Sequence, residues 1–132
     1  MLVQEAIAAL EIAGLDSAVG FLHRGRWGRP CLALDLMEEF RPVIVDAVVL
    51  RCASAGIVRF EEFTTMPGVG CRMNARGRQT FLAAYERRML TLYTHEPAGR
   101  RVSYRFGLGL QAKALATVLL DPDRVYRPLR WK

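Results

Sequence analysis

The sequence predicts an all-α fold, a single bundle-like helical domain over residues 1–132, and three observations support that prediction. Apolar residues recur every three or four positions in four long segments, which is the spacing of a buried helix face. Glycines and prolines cluster between those segments, where they favour turns. No internal repeat or long linker divides the chain, and its length suffices for one hydrophobic core.

Four helices account for most of the predicted structure. The first presents Val3 and Leu10 on one face before Gly14 ends it. The fourth contains Gly107 and Gly109, each of which costs a helix about 1 kcal/mol relative to alanine. The predicted boundaries of the four helices are 2–13, 31–51, 78–93 and 103–120.

Pro42 lies inside the second predicted helix. Because proline has no N–H and its ring clashes with the preceding turn, we expect a kink or a helix break near Arg41. Residues 43–53 are apolar on nearly every face except at Asp46 and Arg51. That pattern indicates a helix in the centre of the core.

Turns and loops join the helices. Residues 16–19 predict a short turn with Asp16 as its N-cap. Residues 21–30 contain two glycines, a proline and three arginines and predict a loop, and residues 96–100 predict a turn. After a further loop at 64–70, residues 71–73 allow one short extended piece.

The composition is that of a globular protein. It is 52% hydrophobic and 24% charged, which excludes a disordered chain. No segment reaches the roughly 18–20 apolar residues of a membrane span, and the acidic N-terminus is not a signal peptide. Cys31, Cys52 and Cys71 are too far apart for a disulfide framework or a zinc-ligand pair. We therefore expect a cytoplasmic protein without a membrane partner.

The charge of the chain favours a nucleic-acid partner. Nineteen basic residues face thirteen acidic ones, and every basic residue except Lys113 and Lys132 is arginine. Arginine pairs with phosphate in a bidentate manner, and a pI near 9.8 fits a nucleic-acid partner. A generic basic surface with solvated helix faces is the alternative. The candidate phosphate contacts are Arg24, Arg26, Arg29, Arg87, Arg88, Arg100, Arg101 and Arg105.

The densest polar cluster joins His23 in the first loop to acidic residues at the start of the second helix. Glu38 and Glu39 follow Asp35 by three and four positions, so both share a helix face with it. Adjacent carboxylates repel each other unless a cation lies between them. Carboxylate oxygens suit Mg²⁺, and a histidine nitrogen moves the preference toward Mn²⁺.

A simpler interpretation of this cluster stays open. Acidic residues early in a helix complement its dipole without binding a metal, and His23 alone is an ordinary loop histidine. The neighbouring arginines favour the metal interpretation, because a metal nuclease needs its cation beside phosphate-binding groups. His95 has only Glu96 close by in the chain, and we expect a structural role for it.

Several long motifs resemble one known family. Residues 8–42, AALEIAGLDSAVGFLHRGRWGRPCLALDLMEEFRP, closely resemble the universal CRISPR-associated endonuclease and integrase family, whose C-terminal domain is helical. The resemblance continues through GRQTFLAAYERR at 77–88, the TH turn at 94–95, and LQAKALA at 110–116. The ending YRPLRWK is similar to the subtype I-C version of the family.

The resemblance implies a function and a site. The family consists of divalent-metal-dependent DNA endonucleases that insert new spacers into CRISPR arrays, an adaptive antiviral defence. By motif, His23 and Glu38 would be ligands of Mg²⁺ or Mn²⁺, and Asp35 would complete the catalytic set. Implied partners are branched or double-stranded DNA with weak sequence preference, a second copy of the full-length protein, and the small second-numbered CRISPR-associated protein.

The same resemblance implies that part of the family protein is absent. The family's catalytic glutamate lies in a helix upstream of the segment that matches residues 2–14, and its N-terminal β-domain also precedes that point. We therefore expect a truncated product, a domain fragment or one piece of a split protein. The alternative function is a non-catalytic remnant that binds DNA or partner subunits without cleaving. A helix-turn-helix regulator is a third, less supported alternative, since no clean recognition helix is present.

Overall fold

A computed structural model describes residues 1–23, 28–68, 70–121 and 123–131 of the chain, and within those ranges helices form most of the core and two β-hairpins accompany them. The elements in chain order are α1 (Leu2–Ile12), α2 (Cys31–Arg41), a π-helical turn (Pro42–Asp46), α3 (Ala47–Ser54), a 3₁₀ turn (Phe60–Glu62), β1 (Phe63–Met66), β2 (Gly70–Met73), α4 (Ala75–Met89), β3 (Leu92–His95), a second 3₁₀ turn (Glu96–Ala98), β4 (Arg100–Ser103) and α5 (Tyr104–Leu120). The predicted helical fold class is confirmed.

The core is built where α1 packs against α2 and α5. Leu2, Ala6 and Leu10 are four residues apart, so they form one buried stripe on α1. On α5 a single arginine connects three helices: Arg105 binds Glu5 of α1 at 2.6 Å and Glu86 of α4 at 3.0 Å. The buried residues contributed by the other helices are Leu32, Ala33, Leu36, Phe40, Ile44, Val48, Cys52, Tyr85, Met89, Tyr104, Leu108 and Ala112.

The expected irregularity at Pro42 takes the form of a π-helical turn inside one continuous helix. Pro42 offers no N–H, and the N–H of Ala47 donates to the carbonyls of Ile44 and Pro42, three and five residues back. The helix therefore continues from α2 into α3 without a break. The predicted burial on nearly every face of residues 43–53 is wrong, because Val49 and Leu50 are 48% and 68% exposed.

The two hairpins differ in how far the sequence predicted them. The extended piece at 71–73 is confirmed as part of β2, which pairs antiparallel with β1. The second hairpin was not predicted: β3 and β4 pair from Leu92 with Ser103 to His95 with Arg100. The predicted helix over 78–93 instead begins at residue 75 and ends at residue 89. Asn74 is its N-cap, because Asn74 Oδ1 accepts the backbone N–H of Gly77 at 2.9 Å.

The glycines of α5 have different surroundings. A Cβ on Gly107 would overlap the phenol of Tyr93, so glycine there lets β3 approach the helix. Nothing lies within 4 Å of a Cβ built on Gly109. None of the helices in the described part of the chain is long and apolar enough to cross a membrane.

Candidate functional site

Asp35 on α2 holds the end of the first loop in place. Its Oδ2 accepts the backbone N–H groups of Phe21 at 2.6 Å and Leu22 at 3.0 Å, and its Oδ1 accepts that of His23 at 3.1 Å. The same Oδ1 lies 2.6 Å from His23 Nδ1. One carboxylate therefore fixes both the backbone of residues 21–23 and the imidazole ring.

The electrostatics of Asp35 suit this role. Burial by itself raises the pKa of the carboxyl group, but the hydrogen bonds from the His23 ring and from the three loop amides outweigh burial and lower the pKa below its usual value of 3.8. Asp35 is therefore an ionised acceptor near neutral pH. With Nδ1 engaged, Nε2 of His23 has no hydrogen-bond partner within residues 1–23, 28–68, 70–121 and 123–131, and the side chain is 36% exposed.

The loop can approach α2 because residue 20 is glycine. A Cβ on Gly20 would lie 2.6 Å from the Cβ of Cys31 and 3.0 Å from Asp35 Oδ2. The loop also satisfies the start of α2, since the carbonyl of Ser17 accepts the N–H of Leu32 at 2.9 Å. The GFLH motif thus combines a close approach at glycine with a histidine directed by the helix carboxylate.

Glu38 lies one helical turn after Asp35, on the solvent side of α2. It is exposed, and its Oε1 accepts a hydrogen bond from Arg41 at 3.3 Å. An exposed pair of this kind contributes about 0–1 kcal/mol, so Glu38 can exchange Arg41 for another cation at little cost. The prediction that His23 and Glu38 converge on one ion stays a prediction.

Glu39, the third carboxylate of the sequence cluster, is directed elsewhere. Its carboxylate accepts hydrogen bonds from Gln111 and Tyr126 and from the backbone of Leu129. Its backbone carbonyl accepts Trp131 Nε1 at 2.6 Å. Sequence reasoning missed this role. The signal was the pair of aromatic donors in YRPLRWK, whose polar atoms need acceptors when the rings are buried.

The donor types at the site fit Mg²⁺ or Mn²⁺, but their number is small. An imidazole nitrogen beside carboxylates is a suitable mixture for Mn²⁺ and tolerable for Mg²⁺. Within the described ranges no group of three or more histidine, cysteine, aspartate or glutamate side chains could hold a metal ion. His23 and Glu38 would hold the ion, and Asp35 would orient the imidazole.

The arginines predicted to contact phosphate fall into separate places. Arg24 and Arg26 lie outside the described residues. Arg29 is exposed just before α2. Arg88 is directed inward, where its Nε donates to the Val43 carbonyl at 2.6 Å and its guanidinium lies 4.7 Å from the Tyr104 ring centroid.

The remaining predicted arginines lie on α4, β4 and α5. Arg87 is exposed on α4. Arg100 and Arg101 are exposed on β4, and the Arg100 guanidinium lies 5.3 Å from the ring centroid of Phe106. Arg105 is engaged by two glutamates and serves to join helices.

A basic groove of about 510 Å³ lies between α3 and α4. Arg51, Arg76 and Arg87 line it together with the inward Arg88, and the described part of the chain contributes no acidic residue to its lining. Its floor is made of small apolar side chains such as Ala83 and Ala84. The groove concentrates positive charge in a concave surface, which suits an anionic partner.

His95 has the structural role expected of it. The side chain is 2% exposed, and Nδ1 accepts the N–H of Ala98 at 3.2 Å, capping the 3₁₀ turn of the second hairpin. Burial lowers the pKa of His95 below its usual value of 6.5, so the ring is neutral.

Comparison with known proteins places this geometry in a family. The family model described as CRISPR associated protein Cas1 matches residues 1–87. A CRISPR-associated exonuclease Cas4/endonuclease Cas1 fusion from Geobacter sulfurreducens is 43% identical over 90% of this chain and 21% of its own length. A CRISPR-associated endonuclease Cas1 from Thermus thermophilus is 42% identical over 97% of this chain and 38% of its own.

Solved structures share the fold. A casposase bound to integration product superposes with a TM-score of 0.86 at 24% identity, covering 99% of this chain and 38% of the casposase. A CAS1 protein from Thermotoga maritima gives a TM-score of 0.82 over 91% of this chain and 36% of its own. The chain thus spans between about a fifth and two fifths of these relatives. By its match to the family model, the chain belongs to the CRISPR associated protein Cas1 family.

Proposed function

We propose that this chain is the helical, C-terminal part of a metal-dependent DNA endonuclease and integrase that inserts spacers into CRISPR arrays. The observation that carries the proposal is the 2.6 Å contact between His23 Nδ1 and Asp35 Oδ1. It orients an imidazole whose second nitrogen has no partner in the described part of the chain, and metal-ligating histidines are commonly oriented by a carboxylate in this way.

Each residue has a distinct role in the proposed site. His23 and Glu38 hold Mg²⁺ or Mn²⁺, and Asp35 fixes the imidazole ring and the loop that carries it. The cation, when bound, would stabilise charge on the scissile phosphate and lower the pKa of a water molecule. The exposed Arg29 binds a neighbouring phosphate and keeps the strand beside the site.

Relatives support the wider assignment. The similar proteins are named as endonucleases, and the casposase is described as bound to integration product. We propose the same class of substrate here, branched or double-stranded DNA with weak sequence preference. The proposal extends to the subtype I-C branch of the family and to a cytoplasmic location. Its proposed protein partners are a second copy of the full protein and the small second-numbered CRISPR-associated protein.

A Mn²⁺-dependent nicking assay on branched DNA tests the proposal. The chain is assayed alone and mixed with a polypeptide that carries the family's upstream glutamate helix. We expect little nicking by the chain alone, since a cation held by too few ligands shifts, and a shift of about 1 Å can cost roughly 10²-fold in rate. The mixture should nick the DNA.

Variants decide which residues act. His23→Ala and Glu38→Ala should abolish nicking by the mixture, whereas Glu11→Ala, an exposed carboxylate on α1, should leave it unchanged. Efficient nicking by both site variants would show that the site is misassigned. Efficient nicking by the wild-type chain alone, lost in both variants, would show that the site is right and complete without a further ligand.

A second candidate function is DNA or subunit binding without cleavage. The absence of a three-ligand group among the described residues and the acid-free lining of the α3–α4 groove favour it. A mixture that binds DNA but never nicks it, whatever the metal, would favour this function.

A further inference from the structure

Residues 125–131 follow α5 without regular secondary structure, yet they are bonded to one residue of α2. The carboxylate of Glu39 accepts the Tyr126 hydroxyl and, at 3.1 Å, the N–H of Leu129. Gln111 of α5 donates to the same carboxylate at 2.9 Å. Trp131 Nε1 donates to the carbonyl oxygen of Glu39 at 2.6 Å. Both the side chain and the backbone of Glu39 therefore hold the 125–131 segment against the helix.

Aromatic packing adds to these hydrogen bonds. The ring of Trp131 lies 6.1 Å from Phe40, 5.1 Å from Tyr93 and 5.8 Å from Tyr104, measured between centroids. Phe40 is fully buried and follows Glu39 directly on α2. The segment thus covers the inner side of α2 beside the proposed site.

The segment binds next to an interruption in the hydrogen-bond ladder of that helix. Pro42 has no N–H, so the carbonyl of Glu38 cannot receive the usual hydrogen bond from four residues ahead. The π-helical turn begins at the same proline. Donors from outside the helix bind carbonyls on either side of it: Trp131 at Glu39 and Arg88 at Val43. The Arg88 contact replaces the donor that the Val43 carbonyl loses in the π-helical turn, and the Trp131 contact lies next to the Glu38 carbonyl.

Glu38 has little else to fix it. Its exposed ion pair with Arg41 is a weak restraint, and the carbonyl of Glu38 lacks its helical donor. Neighbouring residues on a helix are about 100° apart around its axis, so fixing Glu39 on the inner side fixes the direction of Glu38 on the outer side.

We propose that Glu39 is a positioning residue for the metal site, through which the 125–131 segment sets the orientation of Glu38 relative to His23. This inference rests on the proposed function, since it assumes that His23 and Glu38 share a cation. It assigns to the end of the chain a role in metal affinity that is separate from its role in stability. Outer groups that orient metal ligands typically change affinity 10–100-fold when removed.

The test is a Mn²⁺ titration of the full chain followed by NMR, in which paramagnetic broadening of the His23 and Glu38 amide signals reports binding even when it is weak. Trp131→Phe removes the donor to the Glu39 carbonyl and keeps an aromatic ring. Tyr126→Phe removes one hydroxyl and is the milder variant. We expect each to weaken Mn²⁺ binding, Trp131→Phe by about tenfold or more.

Two controls separate positioning from stability. Val125→Ala changes an exposed residue of the same segment and should leave Mn²⁺ affinity unchanged. Leu2→Ala removes buried apolar surface on α1, which makes none of the Glu39 hydrogen bonds, so it should lower the melting temperature and leave the affinity unchanged.

The outcomes distinguish this inference from the proposed function. If the wild-type chain and His23→Ala bind Mn²⁺ equally, the proposed site is wrong. If wild type binds more tightly than His23→Ala but Tyr126→Phe and Trp131→Phe both match wild type, the positioning role is overturned. Should Trp131→Phe not fold, Tyr126→Phe decides alone. The positioning role is also overturned if Mn²⁺ affinity falls in proportion to the melting temperature in every variant, including Leu2→Ala.

Discussion

Arg88 on α4 donates its Nε to the carbonyl oxygen of Val43, one residue after the proline that interrupts the helix ladder, at 2.6 Å. The N–H of Ala47, which would bond to that carbonyl in a regular α-helix, donates to the carbonyls of Ile44 and Pro42 instead. The guanidinium also stacks on Tyr104. A residue that looks like a phosphate contact in the sequence therefore supports the π-helical turn.

Replacing Arg88 should destabilise the protein. Arg88→Met keeps the apolar stem and removes a charged hydrogen bond, which is worth about 1.5–3 kcal/mol. Arg87→Met, at an exposed neighbouring position, should change stability by less than about 0.5 kcal/mol. Urea denaturation measures both, and equal effects would contradict the structural role of Arg88.

The two glycines of α5 should respond in opposite directions to alanine. Gly109→Ala should stabilise the protein by about 1 kcal/mol, since nothing occupies the space of the new methyl group. Gly107→Ala should destabilise it, because the methyl group would overlap the Tyr93 phenol, and overpacking typically costs about 1–3 kcal/mol. Thermal unfolding of the pair is the measurement. Stabilisation by both changes would mean that Tyr93 does not occupy this position.

His95 should make stability depend on pH near neutrality. Burial lowers the pKa of His95, the Arg100 charge lowers it further, and Glu39 acts in the opposite direction. In the unfolded chain His95 titrates near pH 6.5, so around and below that pH the unfolded state binds a proton more readily than the folded state does. The free energy of unfolding should therefore be fully retained above pH 6.5. It should decrease as the pH falls below that value, by at most about 1.4 kcal/mol per pH unit.

His95→Asn isolates this effect. The asparagine oxygen can still accept the Ala98 N–H but does not titrate. The free energy of unfolding should therefore change less with pH between roughly pH 5.5 and 6.5, a range that lies above the titration of most carboxylates. Urea midpoints across that range compare the variant with wild type. An unchanged slope would assign the pH dependence to other groups.

DNA binding should be strongly dependent on salt and largely indifferent to sequence. If about four arginines contact phosphates, the slope of log affinity against log salt should be about −3.6. Arg87→Ala should reduce the slope by about one unit. Arg78→Ala removes the same charge from an exposed position of α4 outside the groove and is the matched control. Fluorescence anisotropy at several salt concentrations measures both slopes. Equal slopes for the two variants would contradict a contact between DNA and Arg87 in the groove.

Metal binding by the isolated chain should be weak. One imidazole and one or two carboxylates fall short of the six oxygen ligands that Mg²⁺ completes with water and phosphate. Calorimetric titration should show no Mg²⁺ site of micromolar affinity. A tight site lost in Glu38→Ala would show that the chain needs no further ligand.

The sequence predicted those parts of the fold that depend on long periodic patterns. Helix α1 and the helix with Asp35 follow from apolar spacing that extends over many residues, whereas the loop that begins at residue 21 was predicted from its glycine and proline content. The β3–β4 hairpin was missed because each strand has only four residues. Tyr93 and His95 lie on the same face of β3, but that face can be recognised as the inner one only when the partner strand is known. Four residues carry too little alternation to separate a strand from the end of a helix.

The contacts around the candidate site residues could be predicted only in part, for a similar reason. Asp35 was expected to belong to the catalytic set because of its motif position, but its contact with His23 was not predicted. The carboxylate of Glu39 looked equivalent to that of Glu38, since both lie on the same helix turn in the sequence. The different role of Glu39 depends on Tyr126 and Trp131, which are 87 and 92 residues away in the chain, and no local pattern predicts such a contact.

The bonds from Asp35 to the loop have a consequence for backbone dynamics. Phe21 and Leu22 are 60% and 79% exposed, so their side chains suggest a loose surface loop. Their amides and that of His23 nevertheless end on one carboxylate. Hydrogen exchange at these three positions should therefore proceed at one shared rate, set by the opening of a single contact, and the loop should behave as one small cooperative unit.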